Sequence, residues 1–149
     1  VRIITEPKIL IGRYVARMQE KPGLWGEFAA VALVNEYDEI VAGAVFNGYA
    51  PPNIFMHIAA ERMTAGFIAA LMHYAFVQAE CKRITGIIEK KNRASRRFAE
   101  HLGAKVEGCM AKAAANGDDL VIYGLSMDRA DKWLSPRYME KLGKELTYG

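Results

Sequence analysis

His57 is the residue best placed to do chemistry at neutral pH. It lies in the apolar run Asn53–Ala59, where strand alternation puts it on one face with Phe55 and Ala59, opposite Ile54, Met56 and Ile58. An imidazole with an unperturbed pKa of about 6.5 exchanges its proton close to neutrality and can act as a general base. A packed histidine with satisfied hydrogen bonds is an equal reading. Glu61, just past the strand, is the second candidate base, directly or through a water. His73 falls on the polar side of a helix and His101 near a helix end, and neither is favoured. Cys81 and Cys109 are too few and too far apart for a zinc site, and nothing beside Cys109 in sequence would activate its thiol. Two buried, reduced thiols in the cytoplasm are expected. Between Lys82 and Arg97 seven basic residues stand against one acid, Glu89, so the stretch reads as a solvated helix face, a nucleic-acid contact or a phosphate-binding edge.

The elements that must position these residues follow from periodicity. Val1–Thr5 is a short β-branched strand. Ile11, Tyr14, Val15 and Met18 fall at helical spacing, and Pro22-Gly23 stops that helix. Phe28–Val34 and Ile40–Phe46 form a hairpin across Asn35–Glu39, and Pro51-Pro52 separates it from the His57 strand. Thr64 caps a helix running to about Glu80. Arg83–Ile88 is a strand, and Asn92 caps a second helix that turns Ser95, Phe98 and Leu102 inward and ends at Gly103. Lys105–Ala114 and Leu120–Met127 are strands joined through Asn116-Gly117. A charged tail over 130–149 carries a helix interrupted by Pro136. The order β-α-β-β-β-α-β-α-β-β makes a mixed α/β fold, treated as one domain over 1–149.

In this order, Asn92 and Ser95, then Leu102-Gly103, then Glu107-Gly108 opening a strand, resemble the GNAT family of acyl-CoA-dependent N-acetyltransferases. Asp118–Gly124 is similar to the next-to-last strand of the branch that acetylates ribosomal-protein N-termini, and short phage and prophage variants look similar too. The resemblance spans Val1–Met127. It implies a mostly antiparallel sheet splayed between its fourth and fifth strands, with acetyl-CoA in the splay and no metal.

That resemblance assigns roles residue by residue. The backbone of Ile58, Ala59 and Ala60 would meet the thioester arm and polarise its carbonyl. The pyrophosphate turn would begin at Arg62, with Ala65 and Phe67 in the two glycine slots and Gly66 between them. The phosphates need backbone N–H groups at a helix N-terminus, which Ala65 and Gly66 permit and Phe67 tightens. Asn92 would bind the pantetheine arm as well as cap its helix, and Lys91, Arg93 and Arg96 would help hold phosphates. The family's usual acid, a tyrosine seven residues after the asparagine, is replaced by Ala99. Ser95 is the first alternative acid and Tyr123 the next, while a thiolate leaving unaided needs none. Tyr49, Tyr74, Trp25 and Trp133 are candidates for the acceptor side or for plain packing.

Composition sets the outer limits. The chain has 149 residues, 52% hydrophobic, with a formal net charge of +3, which excludes a disordered chain and a strongly cationic tail binder. No run of eighteen apolar residues exists for a membrane span, and no export signal is read at the start. The expected activity is acetyl transfer from acetyl-CoA to a primary amine (a protein N-terminus, a lysine or a small amine) in a ternary complex in the cytoplasm. The rival readings are a catalytically silent acyl-CoA- or protein-binding module and a nucleic-acid binder using 82–97. A homodimer formed through the tail is a further expectation.

Overall fold

Alternating apolar residues and well-placed turn residues organise a seven-stranded sheet in this computed structural model, which describes Val1–Thr147; the last two residues of the expected helical tail lie outside the described residues. The strands are β1 (Arg2–Ile4), β2 (Phe28–Val34), β3 (Ile40–Ala50), β4 (Asn53–Ala60), β5 (Arg83–Glu89), β6 (Lys105–Met110) and β7 (Leu120–Ser126), in the order β1-β2-β3-β4-β5-β7-β6. All neighbours are antiparallel except β4 and β5. The β2–β3 turn is held by Asn35, whose Oδ1 accepts from the Tyr37 and Glu39 amides at 2.9 and 3.0 Å. Such side-chain acceptors make an aspartate- or asparagine-led turn self-sufficient.

Helix α1 (Lys8–Met18) packs Tyr14 and Val15 on one face of the sheet, against Val45 and Ala59. Helix α2 (Ala65–His73) is apolar all round and fills the other face with Phe67, Leu71 and Met72. Its last turn, Tyr74–Gln78, widens into a π-helical turn. Helix α3 (Arg93–Leu102) starts where Asn92 Oδ1 accepts from the Ser95 amide and ends at Gly103, whose φ of 109° suits glycine. A short α4 (Met127–Ala130), a 3-10 turn (Asp131–Leu134) and α5 (Pro136–Thr147) follow.

Several boundaries differ from the sequence reading. The strand expected over Lys105–Ala114 ends at Met110, because the following residues form the turn whose Ala114 amide bonds Asp118 O. The strand expected to reach Met127 gives way to α4 one residue earlier. β3 runs on to Ala50 rather than stopping at Phe46, with a register shift between Asn47 and Ala50. Cys81 is buried as expected, but Cys109 is exposed on the edge strand β6. Among the described residues no helix is long and apolar enough to cross a membrane.

Candidate active site

β4 and β5 are paired at only three positions, Asn53–Phe55 with Arg83–Thr85. Beyond Phe55, β4 pairs only with β3 and β5 only with β7, so the sheet opens into a V. The direction of the free backbone groups follows from register. The Glu61 amide bonds Val41 O across β3, and antiparallel bonding alternates, so Ala59 and His57 exchange bonds with β3 while Met56, Ile58 and Ala60 aim theirs into the opening. The backbone of Ala59, expected to face the thioester arm, is therefore turned to Gly43; those of Ile58 and Ala60 face the opening. The V holds a cavity of about 860 Å³ that reaches from α1 past β4 to the start of α3.

The closed end of the V is tied by polar side chains. Asn53 Oδ1 accepts from Arg83 Nε at 3.1 Å and from Thr85 Oγ1 at 2.6 Å. The same guanidinium takes Glu107 of β6 in two bonds, at 2.7 and 3.2 Å. Glu107 lies over Gly124, where any Cβ would collide with its carboxylate. Arg83, one of the seven basic residues, is thus committed to the fold.

His57 lines the cavity on its α1 side. Its Nε2 is 2.9 Å from Asn47 Oδ1, an oxygen that can only accept. Nε2 therefore carries the proton and Nδ1 keeps a bare lone pair. Asn47 is fixed in turn by donating to Trp25 O at 3.2 Å, and the Trp25 ring lies 5.0 Å from the imidazole. Burial, helped by the nearby Lys21 charge, holds the His57 pKa down to about 4. The ring is neutral throughout the physiological range. Glu61 is exposed beyond the end of β4, where its carboxylate accepts from Tyr14 OH at 3.0 Å. Burial and that bond push the Tyr14 hydroxyl up to about 12.

On the α3 side, Asn92 and Ser95 line the cavity together with Ala99. Tyr123 also borders it, but it is 1% exposed and its hydroxyl donates to Glu100 and accepts from Arg96 Nε, both at 2.9 Å. Arg96 further donates to Lys90 O at 3.1 Å, so this arginine and this tyrosine brace α3 against β7. Arg93 is exposed.

The first turn of α2 is more crowded than its sequence implies. Thr64 Oγ1 accepts from the Phe67 amide at 3.1 Å and donates to Glu145 Oε2 at 2.9 Å. Gly66 faces α5, and a Cβ there would strike the Glu145 carboxylate. Arg62 is exposed, and its amide is spent on Val41 O. Of this turn's amides, Ala65 and Gly66 still lack an acceptor within the helix, but Glu145 already brings a negative charge to that end.

A second cavity, about 700 Å³, lies at the end of the sheet between Trp25, Glu27, Phe28, Asn47, Tyr49 and Tyr74. It shares Trp25 and Asn47 with the surroundings of His57. Trp133 is elsewhere, buried with its indole N–H on Leu102 O at 3.0 Å. Sequence reasoning passed over Asn47, Lys21, Gln19 and Glu145. Asn47 carried a usable signal, since a β3–β4 hairpin brings it to the His57 face.

No family model matches the chain, and no curated protein matches it in sequence. Solved structures do match. A chimera of the spermidine N-acetyltransferase SpeG from Vibrio cholerae and hSSAT superposes with a TM-score of 0.67 at 9% identity, over 89% of this chain and 99% of that one. A dodecameric spermidine N-acetyltransferase from Vibrio cholerae gives 0.61 at 12% identity, over 68% and 66%. A GNAT-family acetyltransferase from Bacillus anthracis gives 0.54 at 19% identity, over 66% of each chain. The fold is that of the GNAT acetyltransferases. The expected mixed sheet, splayed between its fourth and fifth strands, is the one observed.

Proposed function

We propose that this chain is an acyl-CoA-dependent N-acetyltransferase that moves acetyl directly to a primary amine. The observation that carries this reading is the V between β4 and β5, with the backbone of Met56 and Ala60 and the N–H of Ile58 facing it along one wall and Asn92 and Ser95 at the other. The residues fit the thioester arm better than the diphosphate, because the α2 turn is already capped by Thr64 and faced by Glu145.

Bound acetyl-CoA supplies an activated acyl group as a thioester. An N–H of Ile58 or Ala60 then meets the negative charge that grows on the carbonyl oxygen, a dipole fixed in place by the sheet. His57 accepts an N–H of the incoming amine at Nδ1 and orients it. With a pKa of about 4 it is too weak a base to strip an ammonium, so the amine sheds its proton to solvent water before attack. Ser95 donates a proton to the departing thiolate and is reprotonated by the second proton that the amine nitrogen releases as the amide forms; Tyr123 is less suited because its hydroxyl is doubly engaged.

The acceptor comes from the second cavity, where one carboxylate, Glu27, stands among five aromatic rings. That lining suits a small cationic amine, as does the likeness to enzymes named for spermidine. A protein N-terminus, implied by the ribosomal-protein branch, is the alternative acceptor. A panel of amines assayed by release of free coenzyme A thiol tests the proposal, with turnover expected on small polyamines or diamines. No turnover with any amine, together with no binding of coenzyme A, would overturn it.

Two observations favour a second reading, a silent acyl-CoA-binding module: Ala99 stands where the family's acid is expected, and Glu145 sits at the phosphate turn. Coenzyme A binding without turnover on the whole panel would select it.

A further inference from the structure

Asn47 and His57 meet because of strand register. His57 pairs with Val45 across β3 and β4, and Asn47 with Phe55, so the two side chains are diagonal neighbours on one face of the sheet. Asn47 Nδ2 donates to Trp25 O, which leaves Oδ1 as the end that meets His57 Nε2. Trp25 is itself pinned. Its indole N–H donates to Gly12 O at 3.1 Å, and a Cβ at Gly12 would press on that indole at 3.2 Å. Helix α1, Trp25 and Asn47 together thus fix which ring nitrogen carries the hydrogen. The other, Nδ1, has no hydrogen-bond partner among the described residues. It is also not one of their buried unpartnered atoms, which are Ser126 Oγ and Gln19 Oε1, the far end of an amide that donates to Ile58 O at 2.9 Å. The Nδ1 lone pair therefore keeps accessible surface, on a residue that lines the cleft.

Which nitrogen is bare decides what an amine can do beside it. A neutral primary amine has a single lone pair, which must reach the thioester carbon, and N–H bonds to spare. A bare Nδ1 takes one of those N–H bonds and leaves the amine lone pair free. A protonated Nδ1 would donate to that lone pair and block the attack. We infer that Asn47 is a positioning residue for acyl transfer: held by Trp25 O, it keeps the hydrogen of His57 on Nε2, so that Nδ1 receives the acceptor amine through an N–H. The inference rests on the amine-acceptor reading above, and Asn47 acts only through His57. The charges around the ring do not compete for this role. Lys21, beyond α1, opposes an imidazolium. On α1, Tyr14 is bonded to Glu61 from the end of β4, and Arg17 lies over the Tyr14 ring. Nε2 itself faces an amide rather than a carboxylate, which offsets the burial of a charged ring poorly.

Nitrogen NMR of the full chain reads the tautomer directly and without any ligand, the three histidines being told apart with His57→Gln. In wild type, Nε2 should give the signal of a protonated nitrogen and Nδ1 that of a bare one, unchanged from about pH 6 to about pH 8. In Asn47→Ala the two forms should mix and their signals move toward each other, while kcat falls about tenfold or more and coenzyme A affinity stays the same. Asn47→Asp loses the bond to Trp25 O but sets a carboxylate against Nε2, which favours the imidazolium. His57 should then titrate closer to neutrality, and the pH profile of turnover should gain an inflection that wild type lacks. Thermal melts show whether each variant is folded, and the wild-type spectrum decides if one is not. A hydrogen on Nδ1 in wild type, or the wild-type titration and tautomer retained in both folded variants, would overturn the inference alone. The expected tautomer with no turnover on any amine would overturn the amine-acceptor reading and this inference with it.

Discussion

At His57 two protonation equilibria decide what the side chain can do. The unfolded chain takes up a proton at about pH 6.5, the folded protein only at about 4. Between those values the unfolded state binds more protons, so the contribution to stability is complete above about pH 6.5 and declines as pH falls toward 4. The decline is on the order of 3 kcal/mol from this group before solvent screening is allowed for. Urea melts of wild type and His57→Gln across this window measure it, and the variant should lack that component. The same low pKa fixes the kinetics. Turnover should rise with pH along the titration of the amine substrate, with no inflection between pH 6 and 7; an inflection there that disappears in His57→Gln would restore the histidine as base. Ser95→Ala should lower kcat roughly tenfold or more while leaving coenzyme A affinity unchanged, since a hydroxyl that protonates a leaving group acts only in the transition state. Equal kcat in the variant would mean that the thiolate leaves unaided.

Helix ends carry the next layer. Asn92 was legible as a cap from its type and its place before Arg93–Leu102, and the observed bond to the Ser95 amide is the one such a cap makes. Asn92→Ala should cost about 1 kcal/mol in a denaturant melt. The start of α2 was legible only in part. Thr64 as a cap follows from residue type and spacing, but Glu145 arrives from a helix near the other end of the chain, a contact that no local pattern encodes. Gln19 was hidden for a related reason: a polar residue just past the last turn of an amphipathic helix looks solvated until the opening beside β4 is seen. Gly66→Ala tests the α2–α5 contact. The added methyl should destabilise the fold by about 1–3 kcal/mol, and Glu145→Ala in the same chain should recover the carboxylate's share of that loss, the contact with Lys141 O at 3.0 Å remaining, read by paired thermal melts. Two losses that simply add would show that the methyl meets something else.

Across the whole sheet, the element order and the parallel β4–β5 unit were readable because a parallel pair needs a crossover helix, and Thr64–Glu80 is the helix long enough to supply it; the break between the two strands was implied only by the family resemblance. The depth of the break was not readable, since it depends on Arg83, Asn53, Thr85 and Glu107 holding three residue pairs together while the rest part. Arg83→Ala should cost about 1–2 kcal/mol, mostly from leaving Thr85, 7% exposed, and Asn53 with fewer partners; the exposed part of its pairing with Glu107 adds little. A urea titration measures this. Four strands thus lie on one side of a narrow seam and three on the other. Amide exchange should report two protected blocks with quick-exchanging hydrogens at Met56, Ile58 and Ala60 between them. Any molecule that fills that gap would bridge the blocks as a mortise holds two boards, slowing exchange on both at once, including at positions it never touches.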